Sequence, residues 1–204
     1  CQTMAGMGLA PIQPAISAYQ RALRTFDRTA FPKEFAILQN NLATAFLSMP
    51  FTDESGKLRE ALAVQAFEEA LRVVTLIDQP VEYAMLQNNL GNALQYVSSA
   101  HRVENGFRAL DAYDEALKVR TFRDMPEAYA NTIANKANCM ATLPDDPANP
   151  EAGNPRNVAA AVALLREAKG IFAACGVEDK AQAVAEAIAE LSSHLAPHGA
   201  FAPN

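Results

Sequence analysis

Apolar side chains recur at helical spacing along this chain, and the same apolar pattern returns several times. Ala63, Phe67 and Ala70 are separated by four and three positions, which places all three on one face of a helix. Further copies of this Ala-x-x-x-aromatic-x-x-Ala pattern begin at Ala15, at Ala109 and, with leucine in place of the ring, at Ala161. Because small residues on both sides of a ring let two helices approach closely, the pattern predicts helices packed against one another.

A second pattern alternates with the first one. It reads PKEFAILQNNLATAF from Pro32, PVEYAMLQNNLGNAL from Pro80 and, more faintly, PEAYANTIANKANCM from Pro126. The starts lie 48 and 46 residues apart, and self-similarity at such a period indicates a stacked repeat array. Proline suits the first position of a helix, where its missing N–H costs nothing. Acidic residues follow in each copy, where the positive end of a helix favours them: Glu34, Glu82 and Glu127.

The repeating unit is therefore a pair of helices joined by a short turn of fixed length. The last alanine of the first pattern precedes the next proline by ten residues each time, as from Ala22 to Pro32 and from Ala70 to Pro80. We call the proline-started helix A and the Ala-x-x-x-aromatic helix B. In the order B, A, B, A along the chain, the predicted helices span 11–28, 33–47, 57–77, 81–97, 105–121, 127–142, 155–174 and 179–195.

These elements predict an all-α fold of about eight helices in one array over residues 11–195. The helix pairs cover 11–47, 57–97, 105–142 and 155–195, with loose termini at 1–10 and 196–204. The array opens on a helix B whose helix A is missing or reduced to MAGMG. We therefore expect a larger protein of which this is the C-terminal part, or a first helix that docks on a partner. The closing helix A is expected to cap the array.

The repeats resemble the tetratricopeptide repeat family. The middle repeat carries the pattern most fully, with the following residues: Leu90, Gly91, Leu94, Ala109, Tyr113 and Ala116. The resemblance implies a right-handed superhelical solenoid of antiparallel helix pairs. Gaps of 21, 19 and 25 residues between helix A and helix B, counted from Leu42, Leu90 and Lys136, are longer than is usual in the family. Pro-, Gly- and Asp-rich segments fill them, which makes the repeats similar to those of the kinesin light chain.

Amide side chains occupy repeated positions in the three A helices. Asn41, Asn89 and Asn135 share one position, and Asn92 and Asn138 lie three residues later on the same face. Asn88 and Gln95 flank them. Asparagine is a poor helix former, so its recurrence inside helices needs a physical reason.

The resemblance offers such a reason. In tetratricopeptide arrays the A helices line a concave groove, and asparagine ladders in O-GlcNAc transferase and the kinesin light chain hold the backbone of an extended peptide. A carboxamide both donates and accepts, which matches a peptide main chain whatever its side chains. We therefore expect a non-catalytic scaffold or adaptor that binds a protein or peptide partner. The alternative is that these amides bond to backbone or to neighbouring helices and stabilise the stack.

Composition and charge exclude several other classes. The chain has 17 Lys and Arg against 23 Asp and Glu and a pI near 5.1, which disfavours nucleic acid as a partner. It contains no apolar run long enough for a membrane span. His194 and His198 have a spacing that suits a metal, but Pro197 intervenes, so we expect neither a metal nor another cofactor. No motif for catalysis is present, so we expect no enzyme activity.

The cysteines favour a reducing, cytoplasmic environment. Cys1, Cys139 and Cys175 are unevenly spaced and form no C-x-x-C pair. Cys139 is expected in the core and Cys175 near a helix end at the surface. A lipid anchor on Cys1 is the alternative to a cytoplasmic location. There are two alternatives to the adaptor. One is a self-assembling structural module, a homo-oligomer formed through the first helix B and the last pair, and the other is a non-catalytic C-terminal segment of a larger regulator or enzyme.

Overall fold

The computed structural model describes residues 12–49, 54–97 and 101–195, and within them it is all-helical. Eight α-helices follow in order: α1 (Ile12–Ala22), α2 (Pro32–Leu47), α3 (Glu54–Leu71), α4 (Pro80–Tyr96), α5 (Arg102–Leu117), α6 (Pro126–Met140), α7 (Pro155–Ala174) and α8 (Glu178–Leu195). A 3-10 turn at Pro150–Ala152 precedes α7. No strand occurs in the described ranges. The predicted all-α class and the predicted order of the helices along the chain are confirmed.

The A helices begin within a residue of their predicted starts, whereas three of the B helices end earlier than predicted. α1, α3 and α5 end at Ala22, Leu71 and Leu117 instead of at residues 28, 77 and 121. The apolar periodicity continues past these ends, because Val73, Val74 and Val119 still face inward or lie partly buried after the helix has stopped. The pattern therefore gave the helix but not its end.

A repeated hydrogen-bonded turn ends two of these helices. The Thr75 hydroxyl donates to Asp78 Oδ2 at 2.7 Å and accepts from the Asp78 backbone N–H at 3.1 Å. Thr121 and Asp124 repeat both bonds with the same distances. Such side-chain bonds to nearby backbone compete with helix continuation. The turn lies within the ten-residue spacing before Pro80 and before Pro126.

The turn before α8 is built differently, on a glycine. Gly176 has φ of 73°, a left-handed conformation that favours glycine at a helix end. The Val177 N–H donates to the Phe172 carbonyl at 2.9 Å, and the Gly176 N–H donates to the Ala173 carbonyl at 3.1 Å. These two bonds form a Schellman motif, which satisfies carbonyls that the end of α7 would leave free.

The chain divides into two compact units, residues 1–105 and residues 106–204. In the first unit, the sequence pattern of α3 is fully buried where α2 packs on it, with Phe67 1% exposed and Ala63 and Ala70 fully buried. In the second unit, the corresponding residues of α5 and α7 are buried as well: Ala109, Tyr113, Ala116, Ala161, Leu165 and Ala168. The recurring apolar face is therefore a core face in both units.

The long loop between α6 and α7 is tied to the helix that follows it. The Asp145 carboxylate accepts the backbone N–H of Arg156 at 2.9 Å and that of Asn157 at 2.8 Å. The Asn157 side-chain amide in turn donates to the carbonyls of Leu143 and Pro144. This predicted loop is thus an ordered cap on the first turn of α7. The predicted loose termini, 1–10 and 196–204, and residue Cys1 lie outside the described residues.

Candidate functional site: a groove between α2 and α4

A groove of about 480 Å³ lies in the first unit, between the first halves of helices α2 and α4. Its floor is apolar and includes Ala36, Val74 and Leu86. Ile37 and Asn40 line it from α2, while Met85 and Glu82 line it from α4. The turn at Val74–Pro80 closes one end. The groove therefore lies between two successive A helices, next to the turn that connects α3 to α4.

Exposed apolar side chains surround this groove. Ile37 is 60% exposed and Met85 is 37% exposed on its two walls. In the turn and the helix start that border it, Ile77 is 90% exposed and Val81 is 53% exposed. Exposed large apolar residues in and near a concavity are typical of a surface that binds another molecule.

The charged residues of the groove lie on opposite sides. Lys33 lines the α2 side, while Asp78 and Glu82 line the other side. Within the part of the chain that the structure describes, neither Lys33 nor Glu82 forms an ion pair. A ligand with an apolar centre and charged flanks therefore meets complementary charges on both walls.

The groove exists because its floor residue is small. Val74 is the fourth residue after the last alanine of the B helix, and the residue at that position in α7 is Phe172. In the second unit, Phe172 is 2% exposed and fills the corresponding space, with the Lys180 ammonium 5.5 Å from its ring centre. Lys180 also pairs with Glu127 at 2.9 Å. Lys180 holds the repeat position of Glu82, and Glu127 holds that of Lys33. At this position the second unit thus has a larger side chain, and it is buried.

In the first unit, asparagines of the neighbouring A helices α2 and α4 contact one another. The Asn89 amide donates to Asn40 Oδ1 at 3.3 Å, and the Asn40 amide donates to Asn41 Oδ1 at 3.5 Å. Amides of α2 and α4 therefore bond across adjacent A helices, at the edge of the groove that Asn40 lines. This geometry matches the alternative in which the amides stabilise the stack. It also leaves the amides at the border of an open groove, so the ladder stays a prediction.

The remaining predicted site residues are at least partly buried. Asn88 is 7% exposed and turns inward, while Asn92 and Gln95 are half-buried further along α4. Asn41 lines a separate depression of about 260 Å³ beside α1. The other two, Asn135 and Asn138, are half-buried on α6 in the second unit. In the first unit, Asn40, Asn41 and Asn89 form a hydrogen-bonded row.

Sequence reasoning missed the apolar walls of the groove. Ile37 and Met85 occupy the same repeat position, and the third copy has Asn131 there. The residue directly before each of the two apolar ones is buried. A large apolar residue repeated outside the buried face was the available signal. Lys136, which replaces the family's leucine, is only 19% exposed, and its ammonium pairs with Asp114. Part of its stem is buried and its charge is neutralised within the second unit.

The described cysteines and histidines have the following environments. Burial raises the pKa of the Cys139 thiol to about 11, and its S–H donates to the Gly106 carbonyl at 3.4 Å. Cys175 is exposed, as predicted. Among the described side chains, no group of three or more His, Cys, Asp or Glu could hold a metal ion. His194 belongs to α8, and His198 lies outside the described residues.

Comparison with known proteins adds no relative. No family model, no curated protein and no solved structure matches the chain. Of the helices that the structure describes, none is both long and apolar enough to cross a bilayer. The assignment of function therefore depends on the site itself.

Proposed function

We propose that the chain is a non-catalytic adaptor that binds an extended segment of a partner protein in the groove between α2 and α4. The observation that carries the proposal is the open groove of about 480 Å³ with an apolar floor and exposed apolar walls. Ile37 and Met85 would contact the anchor side chain of the segment. The amides of Asn40, Asn41 and Asn89 at its edge would bond to the segment's main chain.

The same proposal includes the fold family. Helix pairs of tetratricopeptide type, stacked as a superhelical solenoid, agree with the buried Ala-x-x-x-aromatic-x-x-Ala face of α3 and of α5. They agree also with the packing of A helices against neighbouring B helices, as in α2–α3 and α7–α8. Because arrays of this type present long surfaces rather than enclosed sites, binding a partner chain is the activity that they favour. The cytoplasmic location stays a prediction from the cysteine pattern.

A peptide-display experiment tests the binding site. The full chain is immobilised and a library of random 12-residue peptides is selected on it, and the selected peptides are then synthesised and titrated in solution. We expect selected peptides that share a large apolar residue and bind with micromolar affinity. Ile37→Asp should weaken their binding at least tenfold, because it places a carboxylate on the apolar wall.

The matched control is Leu58→Asp. Leu58 is 61% exposed on α3, almost the same fraction as Ile37, but it does not line the groove. The control should leave binding unchanged and cost no more stability than Ile37→Asp. If both variants bind the selected peptides equally well, the groove is not the binding site and the proposal is wrong.

A further inference from the structure

The recurring face of α1 is less buried than the same face of every other B helix. Ala15, Tyr19 and Ala22 of α1 are all partly exposed. At the corresponding positions, the α3, α5 and α7 residues are at most 1% exposed: Ala63, Phe67, Ala70, Ala109, Tyr113, Ala116, Ala161, Leu165 and Ala168. The A helix that precedes each of them along the chain packs on α3 and on α7, namely α2 on α3 and α6 on α7. Among the described residues, no helix precedes α1, and its face is only partly buried.

Helix α8 has an exposed residue at a position that is buried in the other A helices. Ala43, Gly91 and Ala137 occupy the twelfth position of the other A helices and are buried. The residue at that position in α8 is Ala189, and it is exposed. Ile188 beside it is only half-buried, although Leu42 and Leu90 at its position are buried. Among the described residues, no helix B follows α8. Among the described helices, the first therefore has a partly exposed B-type face and the last has an exposed position on its A-type face.

The charges of these two faces are complementary. Residues 12–26 contain Arg21 and Arg24 and no acidic residue, whereas residues 178–195 contain four acidic residues and one lysine. The position of Arg21, directly before the last alanine of the pattern, is held by glutamate in the other three B helices, as in Glu167 of α7. Arg21 is thus suited to meet an acidic A helix. Electrostatic complementarity of this kind favours one partner over others.

Contacts within the existing pairs show which residues such a pairing would join. The Tyr129 hydroxyl, in the first turn of the A helix α6, donates to Glu167 of α7 at 2.9 Å. Glu167 holds the repeat position of Arg21, so a residue at that position lies over the first turn of an A helix. In α8 that turn begins with Glu178. Likewise, Asn89 donates to Asn40 between neighbouring A helices. The corresponding positions are Asn41 in α2 and Glu186 in α8, an amide donor and a carboxylate acceptor.

We propose that the chain associates head to tail with a second copy of itself, with α8 of one molecule packing on α1 of the next to form an intermolecular A–B helix pair. The depression beside α1, lined by Ala15, Tyr19, Asn41 and Thr44 among others, receives α8 of the second molecule. Such a heterologous contact leaves one free face at each end, so it extends to further copies. A contact of one helix on two is smaller than a standard interface, so association is weak, with Kd on the order of 10 μM.

Sedimentation of two complementary variants tests this proposal. Ala15→Glu places a charge on the α1 face, and Ala189→Glu places one on the α8 face; both positions are at least partly exposed, so folding is preserved. We expect the mass of the unmodified chain to rise above 21.9 kDa with concentration, while each variant alone stays monomeric. An equimolar mixture should form a dimer of twice 21.9 kDa, because each variant still carries the intact face that the other needs.

The controls and contrary outcomes are equally defined. Ser17→Glu on α1 and Ala183→Glu on α8 change other exposed positions and should leave self-association unchanged. Arg21→Glu should weaken it about fivefold, and the added change Glu178→Arg should restore it. A chain that is monomeric at all concentrations, or a mixture that stays monomeric, overturns the proposal. So does self-association that appears only after residues 1–11 are removed, because those residues would then be the occupants of the α1 face.

The proposal can be tested separately from the groove between α2 and α4, and Asn41 is the residue that both proposals use. Ala15 and Ala189 do not line that groove, so peptide binding should persist in both variants. Conversely, Ile37→Asp should leave self-association unchanged. Failure of one proposal is therefore distinguishable from failure of the other.

Discussion

Gly106 shows how much a single methyl group matters in the second unit. A Cβ atom at this residue would lie 2.5 Å from Leu143 Cδ2. Leu143 is 2% exposed, so its side chain has little room to move away. The close approach of helix α5 to the segment after α6 therefore requires a residue without a side chain at this point.

Replacing Gly106 with alanine should destabilise the protein. The clash with Leu143 should cost about 1–3 kcal/mol, which exceeds the gain of about 1 kcal/mol from better helix propensity. Gly170→Ala is the matched control, because Gly170 lies inside α7 and nothing lies within 4 Å of an added Cβ. It should stabilise the protein by about 0.5–1 kcal/mol. Urea unfolding measures both, and a stabilising Gly106→Ala would contradict the packing described.

The two described cysteines should differ in reactivity for a physical reason. Cys139 is fully buried and has its pKa raised to about 11 by burial, whereas Cys175 is exposed after α7. At pH 8 only about one Cys139 thiol in a thousand is ionised, and that thiolate is out of reach of solvent. In a Cys1→Ser background, a thiol reagent should label one cysteine quickly and the second only after denaturant is added. Equal rates for both would contradict the burial of Cys139.

At the scale of the elements, the sequence predicted both ends of the A helices to within about two residues but placed the ends of three B helices four to six residues too late. Each A helix begins at a proline or at Glu178, and these residues are recognisable without any structure. The B helices end at turns that depend on a bond between the Thr75 hydroxyl and Asp78, which periodicity does not reveal. The sequence T-x-x-D-x-P at Thr75 and Thr121 was the signal, and it is visible only once the turn geometry is known.

This turn should stabilise the pairs measurably. Thr121→Val keeps the shape of the side chain but removes the hydroxyl that bonds to Asp124, so we expect a loss of about 1 kcal/mol in the free energy of unfolding. Thr121→Ser retains the hydroxyl and should lose much less. Chemical denaturation of the two variants separates the hydrogen bonds from the packing of the side chain. If valine is as stable as serine at this position, the turn bonds contribute nothing.

The cap on α7 should make stability depend on pH in the acid range. Partial desolvation opposes ionisation of Asp145, but the backbone N–H groups of Arg156 and Asn157 together with the Arg156 side chain outweigh it and lower its pKa. A lowered pKa in the folded state means a contribution that is present above the ordinary value, about 3.9, and is lost as pH falls through the lowered one.

The measurement is the difference in unfolding free energy between the unmodified chain and Asp145→Asn. This difference should be constant near neutral pH and should shrink as the pH falls below about 4. Asp111→Asn, an exposed change on α5, should show no such trend. A difference that does not vary with pH would mean that the charge of Asp145 plays no part in capping α7.

At the scale of the molecule, repetition explains both what was predictable and what was not. The repeated alanines predicted the core face, because duplicated helices bury the same positions, as at Ala63 and Ala109. The groove was not predictable, because it depends on how the side chains at its floor pack. The position of Val74 is held by Phe26, Arg120 and Phe172 in the other copies, and the sequence does not show that valine there lines an open groove. Single-site departures from a repeat are thus where function is best sought.

The asparagine row is the feature whose role most needs an experiment, and Asn41→Ala with Asn89→Ala in one chain provides it. Asn89 donates to Asn40 across α2 and α4, so its loss should cost about 0.5–1.5 kcal/mol if the amides only join the helices. If they also hold a bound main chain, binding of the selected peptides should fall at least tenfold as well. Asn131→Ala is the control, because the Asn131 amide only bonds back to the Glu127 carbonyl on its own helix.

Thermal unfolding and peptide titration on the same samples separate the two roles. Weaker binding with a nearly unchanged melting temperature supports a ladder that reads the peptide backbone, because the folded groove then persists without its amides. A lower melting temperature with unchanged affinity in the folded state assigns the row to structure alone. In that case the apolar walls at Ile37 and Met85 remain the binding surface, because their exposure does not depend on the amides.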